Sequence, residues 1–174
     1  VRDLDDDAAI ILMVDANLQR ETILPSERAF AYKMKLEAIK HQGERTDLTS
    51  AQLGQKSWAV NQVAEQSGDS RVQVQRYIRL TELIPELLDM VDTGQIKFNP
   101  AVELSYLASE EQKDFLSAMD YAQAAPSLSQ AQRIKKLAQE GECTLDAMCE
   151  IMNEIKKGEL DRVTFKTDSL RKYF

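Results

Sequence analysis

With 174 residues, 43% of them hydrophobic and 29% charged, the chain has the make-up of a globular protein with one large or two small domains and a real core. No apolar run nears the roughly 18–20 residues of a membrane span, and one histidine, His41, with Cys143 and Cys149 as the two cysteines, leaves almost no material for structural zinc or a histidine-activated nucleophile. The net charge of −7 excludes indiscriminate attraction to phosphate, while leaving room for a local basic edge. The start at Val1 rather than Met points to a fragment of a longer protein, so the lack of a signal peptide excludes nothing. Two thiols with no evident pairing fit a reducing cytoplasm.

In chain order, Asp3, Asp5, Asp6 and Asp7 read as a solvated turn rather than a metal site. Ala8 to Val14 has the length and Ile/Val content of a buried strand, belonging to a sheet in an N-terminal part, or a helix where that sheet is lacking. Asn17 to Glu21, NLQRE, is denser in polar chemistry than a linker needs. Pro25 suits a first helical turn and Gly43 the position after a last one, which frames a long helix from Pro25 to Gln42. Its apolar stripe is Phe30, Met34 and Ala38, widened by Tyr32, Leu36 and Ile39. The polar stretch Gly43–Ser57 reads as a loop, with Lys56 exposed.

Trp58 to Leu80 carries a helix-turn-helix pattern. Val60, Val63, Ala64 and Ser67 share one helical face, Gly68 supplies a turn residue free to take positive φ, and Asp69 or Ser70 can cap a second helix. Along that helix Val74, Ile78 and Tyr77 turn inward. Arg71, Gln73, Gln75, Arg76 and Arg79 stay outside. Arg can be bidentate to guanine and Gln to adenine, so such a face suits a major groove. From Asp69 to Leu80 there are three arginines against one aspartate, 3 − 1 = +2, within an acidic chain. A packed helical hairpin with a solvated Arg/Gln face fits the same residues, and both readings stay open at this point.

The remainder reads as helices. Pro85–Val91 is closed by Gly94, and Asn99–Pro100 opens another helix that runs to Leu107. Ser109–Gln112 and Ser127–Gln130 have capping-box form. The second opens a helix through Arg133, Lys135 and Lys136 to a stop at Gly141, those three cations forming a solvated face or touching DNA backbone. Thr144 starts a helix with Leu145, Met148, Ile151, Met152 and Ile155 as its stripe, ended by Gly158. Val163–Lys166 reads as a short strand.

NLQRE, then PSERAFAYKMKLEA, then Ala64, Gly68, Ser70, Arg71 and Val74, then Arg79–Leu80 and Pro85–Glu86, resembles the central region of the ParB family of DNA-partition proteins. The likeness runs from Ala8 to Leu107, with Gly94–Gln95–Ile96 and Pro100–Ala101 echoing its last motifs. It implies an all-α fold: a remnant of an N-terminal domain and linker at 1–24, a helix-turn-helix DNA-binding domain at 25–108, and a C-terminal helical subdomain at 109–174. Arg71, Gln73, Gln75 and Arg76 would read bases, and Ser70 and Arg79 would hold phosphates. The implied partners are double-stranded DNA carrying a centromere-like inverted repeat, a second copy of the chain and a ParA-type ATPase, in the cytoplasm at the nucleoid. Asn17 and Arg20 match part of the family's nucleotide motif, but Ala16 replaces its usual Glu and no triphosphate-cradling box lies upstream. No cofactor or metal is therefore expected here, with CTP and Mg²⁺ left to a full-length protein. A CTP-dependent clamp and a transcription regulator are the alternatives.

Overall fold

The computed structural model describes residues 6–18, 20, 22–46 and 52–154, with backbone alone at 42–46 and 52–57. They form α1 (Asp6–Leu18), α2 (Pro25–Thr46), α3 (Gln52–Ser67), α4 (Arg71–Leu80), α5 (Pro85–Asp92), α6 (Phe98–Leu104), α7 (Ser109–Ala122), α8 (Leu128–Glu140) and α9 (Leu145–Asn153). Among the described residues there is no strand, and the fold is all-α as the sequence implies.

Two apolar clusters hold the helices. Tyr32, Leu36 and Ile39 of α2 close on Ala59, Val60, Val63 and Ala64 of α3 and on Val74 of α4. The larger cluster gathers Leu80, the apolar residues of α5 and α6, and Phe115, Ala118, Ala131, Ile134, Met148 and Met152 of the last three helices. Phe115, Ile134 and Met148 are fully buried, each stabilising the fold by roughly 1.5–3 kcal/mol. Tyr77 of α4 packs against both clusters. The expected boundary at 108/109 falls inside the larger one, because α6 packs on α8 across it.

Local chemistry sets the ends of several helices as anticipated. Ser127 Oγ accepts from the Gln130 amide at 3.2 Å, and the Gln130 side chain returns a bond to the Ser127 N–H at 2.9 Å. Thr144 caps α9 through the Ala147 amide, and Gly141 ends α8 at φ +75°. The box expected at Ser109 forms only by half, because the N-cap is Ala108, whose side chain has no acceptor. Glu111 accepts from the Ala108 N–H at 2.7 Å, and Ser109 is already helical. This frees Gln112 for the interior, where its amide accepts from Ile84 N and donates to the Glu82 and Leu107 carbonyls.

One open reading is decided and three further expectations are corrected. Of the two readings left open for Ala8–Val14, the helix holds, within α1; it packs along α2, buries Val14, and pairs Asp15 with the fully buried Lys35 Nζ. The apolar run satisfied the composition of either element, and a helix needs no neighbouring strand. Gly43 does not stop α2, which continues to Thr46, and α3 begins at Gln52, so most of the expected 43–57 loop is helical. Phe30 and Met34 are 46% and 40% exposed. Of the expected stripe, Ala38 and the widening residues Tyr32, Leu36 and Ile39 are buried, with Ala29 beside them, because α3 and α4 dock on that side, roughly half a turn from Phe30 and Met34 at 3.6 residues per turn. In α9, Leu145 is 40% exposed while Met148, Ile151 and Met152 are buried. Asp3, Asp5, the Lys56 side chain, Ile155, Gly158 and Val163–Lys166 lie outside the described residues.

Candidate nucleic-acid interface

The turn between α3 and α4 is built residue by residue. Ser67 returns its hydroxyl to the Val63 carbonyl at 2.7 Å, which closes the last turn of α3. Gly68 then takes φ +72°, a left-handed conformation that a β-carbon disfavours. Asp69 is tied back to α2: its carboxylate accepts from the Tyr32 hydroxyl at 2.5 Å and lies 3.7 Å from the Arg28 guanidinium. Arg28 in turn stacks over the Tyr77 ring at 5.4 Å. Burial, with the Asp69 hydrogen bond next in weight, pushes the Tyr32 phenol up to about 12. Ser70 is the N-cap of α4, its Oγ accepting from the Gln73 amide at 3.2 Å.

On this mount α4 presents a defined outer face. Val74 is fully buried and Tyr77 and Ile78 are half-buried, as their spacing predicts. Arg71, Gln75 and Arg76 are exposed and Gln73 is half-buried on the flank. The side chains of Arg71 and Arg76 make no ion pair or hydrogen bond to a described residue. Val72, 56% exposed, sits among them.

Arg79 points elsewhere. Its Nη2 donates to the Ser105 carbonyl at 2.7 Å, its guanidinium lies 4.2 Å from the Tyr106 ring centroid, and its Nε is buried. Lys135 approaches the same ring at 3.8 Å and bonds Glu103 at 2.8 Å. The guanidinium expected on a phosphate thus fastens the end of α4 to the α6–α7 connection. Arg133 and Lys136 are likewise matched, to Glu154 and Glu140. Arg28, Asp69 and Tyr106 were not singled out as site residues from the sequence, because their roles depend on partners distant in the chain.

Asn17 and Arg20 are brought together on the other side of α2, at a groove of about 230 Å³ lined by Met13, Leu18, Phe30 and Met34. A second cleft beside it has Arg20 and Arg28 with Glu27. The two clefts thus present Asn17, Arg20, Thr22 and Arg28 together with apolar residues and the Glu27 carboxylate. Asp15, the acid nearest Ala16, is engaged by Lys35. No group of three or more His, Cys, Asp or Glu side chains among the described residues could hold a metal ion. Among the described residues, no helix is long and apolar enough to cross a membrane.

The chain is similar to known proteins over this same region. Residues 48–139, more than half the chain, match the family model described as the ParB HTH domain. The chromosome-partitioning protein Spo0J of Thermus thermophilus is 32% identical over 111 residues, covering 64% of this chain and 35% of that protein. The chain therefore spans well under half of that relative's length. The matched region takes in α4 with its cap, the turn that Tyr32 and Arg28 anchor, and the helices up to α8, and by it the chain belongs to the ParB family.

Proposed function

We propose that this chain is a sequence-specific DNA-binding unit of ParB type, which recognises a centromere-like inverted repeat during segregation of a chromosome or mobile element. The observation that carries the reading is the pair of arginines on α4. Most cations of α2, α7 and α8 are mated within the molecule, whereas Arg71 and Arg76 project from a capped helix fixed to α2 without an ion pair or hydrogen bond to any described residue. In a helix-turn-helix the front of the second helix meets base edges, which places Arg71, Gln73, Gln75 and Arg76 in the major groove. The Ser70 hydroxyl accepts from Gln73 and keeps its own proton to donate to a phosphate oxygen. Because one helix reads few base pairs, two copies on the two half-sites supply the affinity. Partition would add a ParA-type ATPase, and CTP with Mg²⁺ would need residues beyond these to supply the phosphate cradle.

The test is fluorescence anisotropy on a duplex enriched by the protein from a randomised pool, beside a scrambled duplex, at several salt concentrations. Arg71→Ala should lose roughly 1–3 kcal/mol on the enriched duplex and much less on the scrambled one. Arg79→Ala should lower the melting temperature and leave the salt slope close to wild type, since its guanidinium faces Ser105 and Tyr106. Wild-type affinity of Arg71→Ala for the enriched duplex would show that α4 is not the reading element.

A further inference from the structure

Projected at about 100° per residue, Val74 and Val72 lie about 200° apart on α4. Val74 is fully buried and Val72 is 56% exposed, so Val72 occupies the middle of the outward face. Gln75 and Arg76, three and four residues on, flank it on the same face, and Arg71 precedes it. A β-branched residue is a poorer helix former than alanine or lysine, so local helix stability does not favour it there. It also makes no contribution to either apolar cluster.

We infer that Val72 is a specificity-determining residue that reads the C5-methyl group of a thymine in the major groove. The inference rests on the DNA-reading role of α4 proposed above. A short side chain at the centre of the face lets the helix approach the groove floor to van der Waals contact, while Arg71 and Arg76 extend to either side. An apolar group pressed on a base edge strips water from whatever lies beneath, and a buried donor or acceptor without a partner is penalised. The thymine methyl is the apolar group that the four bases offer in that groove, so the base pair under Val72 should be A·T with its methyl toward the helix.

The full chain is used to enrich duplexes from a randomised pool, and each thymine of the enriched duplex is replaced in turn by deoxyuridine, which lacks only the methyl. Wild type should weaken about three- to tenfold at one thymine of each half-site. Val72→Ala, which removes only an exposed side chain and should melt like wild type, should bind both versions within about twofold. Arg71→Ala is measured on the same duplexes. If Arg71→Ala loses affinity for the enriched duplex but no thymine shows a methyl effect that Val72→Ala abolishes, the Val72 assignment is overturned and the reading of α4 stands. If Arg71→Ala binds like wild type, or no sequence is enriched, the reading of α4 fails and takes this assignment with it.

Discussion

Tyr32 and Asp69 stand 37 residues apart in the chain, and their hydrogen bond joins the middle of α2 to the turn that aims α4. By its spacing Tyr32 only widens an apolar stripe built on Phe30, Met34 and Ala38, and docking turns the Tyr32 side inward while Phe30 and Met34 stay out. The sequence could not disclose the hydroxyl's partner, because that depends on how α2 docks against the turn. The same holds for Arg79, whose spacing marked it as outward, and whose long side chain bends back to Ser105 and Tyr106. The Tyr32 contact also carries a pH signature. The phenol is raised from 10.0 to about 12 in the folded protein, first by burial and then by Asp69. A raised value means that the protonated form is favoured on folding, so its stabilisation is complete below pH 10 and disappears as pH climbs through 12. Tyr32→Phe should cost about 0.5–1.5 kcal/mol at neutral pH through the lost hydrogen bond. Above pH 10 that gap should shrink steadily, and by pH 12 it should have closed or reversed sign. Chemical denaturation of both proteins between pH 7 and 12 measures it; a constant gap would mean that the phenol is not buried against Asp69.

At the level of helices and turns, what was legible was what is local. The caps at Ser127 and Thr144, the left-handed Gly141 and the hinge at Gly68 follow from a few neighbouring residues. What depended on a choice of partner was not legible: the apolar run Ala8–Val14 suits a strand or a helix equally, and docking along α2 decides it. Gly43 is a plausible stop, yet α2 continues through it. The turn at Gly68 permits a direct check. A β-carbon added there meets nothing within 4 Å, so the penalty of a substitution is conformational rather than steric. Gly68→Val should therefore destabilise by roughly 1–3 kcal/mol, and Gly68→Asn by distinctly less, since Asn tolerates the left-handed region. Thermal melting without DNA distinguishes them. Equal losses would point to crowding instead of backbone strain.

For the molecule as a whole, the family likeness located the helix-turn-helix and the order of elements, while the distribution of cores could be seen only in three dimensions. Two apolar clusters meet at α4, with Val74 in one, Leu80 in the other and Tyr77 against both. Gln112 reinforces the second from within by tying the α4–α5 and α6–α7 connections together. A helix of ten residues is too short to persist in water without such support. Its integrity is thus borrowed from both ends of the chain. In terms of native-state fluctuations, α4 should have no low-energy opening of its own: its amides become free only when one of the two clusters comes apart. Hydrogen exchange at Val74–Leu80 should accordingly be as slow as that at the centre of α7, near Phe115, and a substitution that loosens the α8–α9 packing, such as Ile134→Ala, should speed exchange at the distant α4. Independent fraying of α4 would contradict this. With exchange coupled in this way, the outer face of α4 is a passive reporter of cohesion elsewhere, and, on the DNA-reading role proposed for it, damage far from any base would register first as lost discrimination between DNA sites.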